Sequence, residues 1–301
     1  MTGTFLDQVR KELHIRNFCC NYRKPDRFVR SQWQLQPKNV FYLLWRIVLA
    51  AFFISAVITS MASLTPEDFR FYFIYLTNWG IILCMITSVY GAILVTYWHF
   101  NSRYADRISE CNDMPFAFKF YWSIHNIILN VSIVITVIYW SILHTDSMPI
   151  SATNVMTHAF NSVLMFVDML IMAYPLRLYH GIQPILLGVV YVIFSIIYYY
   201  AGGKNKFDQP YIYNVLDWSS SDPKKNVVTV VGTLVLSMAI HLVLFGVYRL
   251  KVFLHRKCVH TDKSADLPTA PSSAAPNSRI SMVLGSYEYD NTAFSGSTEK
   301  I

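Results

Sequence analysis

Six apolar stretches alternate with short polar connections along the chain, near residues 41–63, 71–97, 119–144, 155–174, 182–201 and 226–250. As helices rising about 1.5 Å per residue, each can cross a hydrocarbon core of about 30 Å. The longer ones predict tilt or extension past the bilayer. In lipid every backbone polar group must be satisfied within its own segment, so the predicted fold class is all-α, a bundle of six transmembrane helices. Residues 1–40 are polar and form a basic N-terminal segment, and residues 41–255 make up the six-span domain. After about residue 262 the composition shifts to Ser, Thr, Pro and Ala, so residues 256–301 are expected to be a disordered tail. The polar opening also implies that the first helix serves as its own uncleaved membrane signal.

Composition agrees with this pattern. Charged side chains are 14% of the 301 residues and hydrophobic ones 54%, against roughly 25% charged in a soluble domain. That is too little charge to cover a water-soluble globule. The net charge of +7 comes from loops and tails without a nucleic-acid-binding motif, so membrane lipids, not nucleic acid, are the expected partners. Its distribution sets an orientation. The face holding both termini carries 17 Lys and Arg, the opposite face five, and the spans three. By the positive-inside rule both termini of this multi-pass chain are expected in the cytoplasm. Arg46, Lys119 and Arg249 lie in spans near the basic face, where their stems are expected to snorkel outward.

Cys19, Cys20, Cys111 and Cys258 fall on the cytoplasmic side and Cys84 within a helix, leaving no expected extracellular disulfide. Cys19, Cys20 and Cys258 suit either S-palmitoylation or a reduced structural role. In the tail, Tyr287, Tyr289 and the closing Glu299-Lys300-Ile301 are candidate contacts for cytoplasmic partners, with a simply solvated tail as the alternative.

Polar groups at membrane depth are costly and therefore informative. Asp168 is the one carboxylate inside a span, and its helix also carries His158 and Asn161 within an arc of about 80°. The second helix has a matching stripe of Thr77, Gly80, Cys84, Ser88 and Gly91, and close helix packing explains most of it, with Thr77 set apart by its depth. Thr77 and His158 share an approximate depth, and a hydroxyl beside an imidazole is a possible nucleophile and general base for acyl transfer. Asn78, Asn161 or Trp79 are candidates to orient the imidazole or donate to an oxyanion. In the alternative, Thr77 bonds its own helix backbone and His158 bonds a neighbouring helix. Deeper toward the basic face, His125, Asp168 and His241 form a second polar set at about 9, 9 and 13 Å from that side. No paired ligand spacing supports a metal or haem there, and no cofactor is expected. The last outer loop, 202–225, combines Gly202-Gly203 with Tyr211, Tyr213, Asp217 and Trp218, either as a cap over the bundle or as an aromatic belt.

Several local motifs carry a resemblance. These are Tyr22-Arg23-Lys24-Pro25 through Arg30-Ser31-Gln32-Trp33, then Tyr75-Leu76-Thr77-Asn78-Trp79 and Thr157-His158-Ala159-Phe160-Asn161. With Pro210-Tyr211-Ile212-Tyr213 and Leu216-Asp217-Trp218, they resemble the rolling stone family of invertebrate multi-pass membrane proteins over most of residues 15–255. The resemblance implies a role at the plasma membrane in myoblast fusion during muscle development. More distantly, the Leu76-Thr77 and His158 placements, Tyr174-Pro175 and the glycine-then-proline loop after the fifth helix are similar to the androgen-induced-gene hydrolases. Those enzymes cleave fatty-acid esters of hydroxy fatty acids with an intramembrane Thr and His, so this resemblance implies Thr77 as nucleophile and His158 as base. Asn78-Trp79-Gly80 after Thr77 departs from it and leaves the oxyanion donors unidentified. A transporter or scaffold, with the polar faces lining a pathway or joining helices, is the third reading.

Overall fold

Asn39 starts the first spanning helix: its side chain accepts from the Tyr42 amide at 3.0 Å, capping one of the free N–H groups of the first turn. The apolar run behind it forms α1, Val40–Ala62. A computed structural model of the chain describes residues 12, 18–111, 113–145 and 150–265, with side chains described through residue 258. The expected tail contacts, Tyr287, Tyr289 and the last three residues, lie outside the described residues. Five further helices are long and apolar enough to cross a membrane: α2, Leu76–Phe100; α3, Phe116–Leu143; α4, Ala152–Ile171; α5, Leu178–Tyr200; and α6, Pro223–Ala265. The fold is all-α. Among the described residues, extended pairing is confined to two isolated bridges, Ser31 with Met172 and Tyr213 with Leu216.

Where the boundaries differ from hydropathy, side chains explain the difference. Apolarity places the start of the second span at residue 71, yet Tyr75 is extended, with φ −89° and ψ 128°, and α2 starts at Leu76. The Asn78 amide and the Trp79 indole reach back to the carbonyls of Tyr72 and Phe73, both at 2.7 Å, satisfying the short helical turn that precedes the span. At the other end of the chain, apolarity stops near residue 250, but Lys251, Arg256 and Lys257 are sound helix formers. No proline follows before Pro268, and α6 continues through Ala265, so the helix extends into the stretch expected to be tail. In α4 a π-helical turn occupies Met156–Phe160. Its i→i+5 spacing shifts His158 from the angular position that a regular 100° step predicts.

The helix α3 is central and packs against α2, α4, α5 and α6. Close approach to α2 uses the small-residue stripe: a Cβ on Gly91 would lie 2.8 Å from the Tyr121 hydroxyl, and one on Gly80 would lie 2.5 Å from Ile135 Cδ1. Cys84 is fully buried, and Ser88 bonds the Cys84 carbonyl of its own helix at 2.8 Å. Packing accounts for this stripe apart from Thr77. The outward sides of α5 and α6 expose Val190, Ile193, Ile197, Val231 and Val235, as helices facing lipid do.

The segment before α1 is part of the bundle. Phe28 stacks on Tyr174 at 4.6 Å, lies 5.7 Å from Phe118 and meets Trp122 edge-on at 5.3 Å. The chain then runs beside the end of α4, and its donors satisfy carbonyls that the helix leaves open. Gln32 N–H bonds Ile171 O at 2.8 Å, and the Trp33 indole bonds Leu170 O at 2.9 Å. From α6, the Lys251 ammonium donates to Met169 O and Met172 O, each at 2.8 Å. Met172 N closes on Asp168 O at 2.9 Å. All four terminal carbonyls of α4 are thus bonded, and a cation stands where the helix dipole is negative.

Candidate functional site

Asp168 stands one turn from this capped end and is fully buried. Its Oδ1 accepts from the Trp45 indole at 2.8 Å. Its Oδ2 accepts from Arg46 Nη1 at 2.8 Å and meets His125 Nε2 at 3.0 Å. A carboxylate only accepts, so His125 presents Nε2–H to it. The second guanidinium arm of Arg46 donates to the Tyr42 hydroxyl at 2.5 Å, and its carbon lies 4.9 Å from the centroid of the Tyr42 ring and 5.9 Å from that of Tyr121. The expectation that Arg46 snorkels is therefore corrected: its side chain is 1% exposed. Arg46 lies six residues into α1, about 9 Å along the axis, close to the depth of about 9 Å that counting from residue 174 gives Asp168. At that depth a paired carboxylate competes better for the guanidinium than distant water does.

Of the second polar set, the structure joins His125 and Asp168 and places His241 elsewhere. His241 Nε2 meets the Arg177 carbonyl at 3.0 Å. Its ring also covers Gly181, where a Cβ would lie 2.7 Å from His241 Cδ2. Depth alone grouped the three; α6 turns His241 toward the loop after α4. Among the described residues no three His, Cys, Asp or Glu side chains are grouped to hold a metal ion.

At the opposite end of the bundle, an apolar cavity of about 110 Å³ lies between α2, α3, α5 and α6. Thr77, Tyr139, Tyr191, Tyr213, Thr229 and Thr233 give its wall a few polar points, and Ile135, Ile138, Gly188, Val230 and Leu234 supply apolar surface. The loop between α5 and α6 closes over it. Thr229 bonds Val215 O at 2.8 Å, Asn226 bonds Asp217 O at 2.6 Å, and the Trp218 indole bonds Ser195 at 3.1 Å. The loop is thus a cap built on α5 and α6. Beneath it the Tyr75 and Tyr213 rings lie 5.7 Å apart. Burial, with Tyr213 beside it, pushes the Tyr75 phenol up to about 12, so it remains a neutral hydrogen-bonding group under the cap.

Thr77 is on the cavity wall and faces the Tyr213 phenol. His158 is not among the lining residues. Its ring stacks on that of Tyr139, 3.4 Å between centroids and 5° between planes, and its carbonyl accepts from the Trp140 indole at 3.1 Å. Among the described residues no hydrogen bond joins Thr77 to His158. Asn78 is occupied with Tyr72 O. Asn161 Oδ1 accepts from Thr136 at 3.2 Å and from Ser162 N–H at 2.7 Å. Tyr139 is the element that depth and spacing could not reveal: it borders the cavity beside Thr77 and carries His158 on its own ring.

The sequence model described as "Rost: Protein rolling stone" matches residues 1–264. The chain is similar to "Protein rolling stone" of Drosophila melanogaster, 36% identical over 259 residues, covering 84% of this chain and 93% of that protein. No solved structure matches it.

Proposed function

The chain belongs to the rolling stone family, and from that premise we propose that it acts at the plasma membrane in myoblast fusion during muscle development. The observation that carries the reading is the 36% identity to the Drosophila protein, which extends over 84% of this chain. Both termini are cytoplasmic in this reading, and membrane lipids are the partners. The chain's part in fusion is to organise the membrane or its lipids. The longest outer connection, 202–222, is folded down onto α5 and α6 by the Asn226, Thr229 and Trp218 bonds, which suits a part played within the chain's own bilayer. Depleting the chain from myoblasts that express it is expected to lower the fraction of nuclei in multinucleate cells, with differentiation markers unchanged. Unchanged fusion after complete depletion overturns the proposal. For orientation, a tag in the 145–154 loop is expected to be labelled on intact cells and a C-terminal tag only after permeabilisation. Labelling of both on the same side reverses the assignment.

A second reading, lipid ester hydrolysis, is favoured by one observation: the Thr77 hydroxyl borders an apolar cavity. For that chemistry Tyr139 must leave the His158 ring so that the imidazole can take the hydroxyl proton.

A further inference from the structure

A thiol and an imidazole meet at the end of the bundle that bears the N-terminal segment, opposite the cavity and outside the hydrogen bonds of Asp168. Cys20 Sγ lies 4.0 Å from His180 Nε2. It also lies 3.2 Å from the Ser123 hydroxyl, and the Gln183 amide donates to it at 3.6 Å. Three separate parts of the chain therefore converge on one sulfur: the segment before α1, the start of α3 and the start of α5. The imidazole is held in place. Its ring packs edge-on against Trp122 at 4.6 Å, its carbonyl accepts from Asn126 at 2.8 Å, and the residue is 1% exposed. Nδ1 of this ring is buried without a partner, so the polar contact that the ring makes is the one with the sulfur.

The other cysteines lack this setting. Cys84 is fully buried, Cys111 donates to its neighbour Asp113 O at 2.8 Å, and Cys19 and Cys258 are exposed. Cys20 is partly exposed. Ser123 is about two turns inside α3 and Gln183 lies at the start of α5, which places the sulfur near the membrane boundary. Phe18, two residues before it in the chain, is 52% exposed and meets Tyr179, the neighbour of His180, edge-on at 6.5 Å.

We propose that Cys20 is an S-acylation site, which takes a long-chain acyl group from an acyl-CoA thioester with His180 as the base. His180 Nε2 accepts the thiol proton, and the Cys20 thiolate attacks the thioester carbonyl. A new carbon–sulfur bond forms, the bond to the coenzyme A sulfur breaks, and the departing thiolate takes the proton back from His180. Gln183 donates to the sulfur while it is charged. The products are a thioester on Cys20 and free coenzyme A, with no change in oxidation state. The acyl chain has the bilayer beside it and anchors the segment that caps α4. In the cell this rests on the cytoplasmic placement of that face, where acyl-CoA is found. The test uses solubilised protein, so that failure of the orientation and failure of the site are separate results.

The full chain, purified in detergent, is incubated with alkyne-tagged palmitoyl-CoA, and hydroxylamine-labile label is mapped by peptide mass spectrometry. In the natural sequence the label is expected on Cys20, at least tenfold above Cys19 or Cys258. Cys20→Ser is expected to abolish it, whereas Cys19→Ser and Cys258→Ser retain it. His180→Phe keeps a ring against Trp122 and is expected to slow the initial rate by at least about tenfold, as loss of a general base does, with an unchanged elution profile. Label on Cys19 or Cys258, no label, or an equal rate in His180→Phe overturns the proposal. If Cys20→Ser fails to fold, the map of the natural sequence decides.

Discussion

Asp168→Ala is expected to destabilise the bundle by about 3–5 kcal/mol, because it leaves the Arg46 guanidinium buried without its counter-charge. The carboxylate accepts from Trp45, Arg46 and His125 together, so one truncation orphans three donors on two helices. Ordinary interhelical hydrogen bonds in membranes average only about 0.6 kcal/mol, and a loss of that size would mean that Arg46 finds water after the substitution. Changing both partners, Arg46→Met with Asp168→Leu, removes the unpaired charge and is expected to recover most of the loss. Unfolding of the three purified proteins in detergent, followed by size-exclusion after heating, checks the ranking. A double variant no more stable than Asp168→Ala would show that the pair itself, and not the orphaned charge, dominates.

The second large effect belongs to Phe28. Truncation to Ala removes a ring that is 1% exposed and is stacked between Tyr174 and Phe118. Phe→Ala changes in tight cores cost about 3–5 kcal/mol. The consequence is local as well as global, because Phe28 anchors the segment whose Gln32 and Trp33 cap α4. Trypsin is therefore expected to cleave Phe28→Ala at Arg27 and Arg30 much faster than the natural protein, under conditions where the rest of the bundle stays intact. Equal cleavage would show that the hydrogen bonds to α4 hold the segment without the ring.

Much of the architecture is legible in the sequence, since lipid imposes one simple rule on apolar length. Azimuth is less legible. Arg46 and Asp168 lie at one depth, and that equality is available from counting residues; Arg46 was nevertheless expected to turn outward, because counting does not say which face of α1 looks at α4. His241 shows the reverse: a shared depth grouped it with His125 and Asp168, but it bonds Arg177 O. For His158 the obstacle is the π turn at Met156–Phe160, which breaks the 100° step on which the arc argument depends. Tyr139 carries no chemical signature, so its stacking on His158 had no sequence signal. The capping of α4 by residues 31–33 and Lys251 is likewise invisible in one dimension, since the groups are about 140 and 80 residues away along the chain.

In the proposed function, this rolling stone family member serves fusion through the organisation of its membrane bundle and not through Thr77 and His158 as a catalytic pair. Re-expression in depleted myoblasts, with surface amounts matched and the fraction of nuclei in multinucleate cells counted, separates the two. The natural protein and a Thr77→Ala/His158→Ala variant are predicted to restore fusion equally. Restoration by the natural protein but not by the variant, at equal surface level, would contradict the claim and establish the pair as the working site.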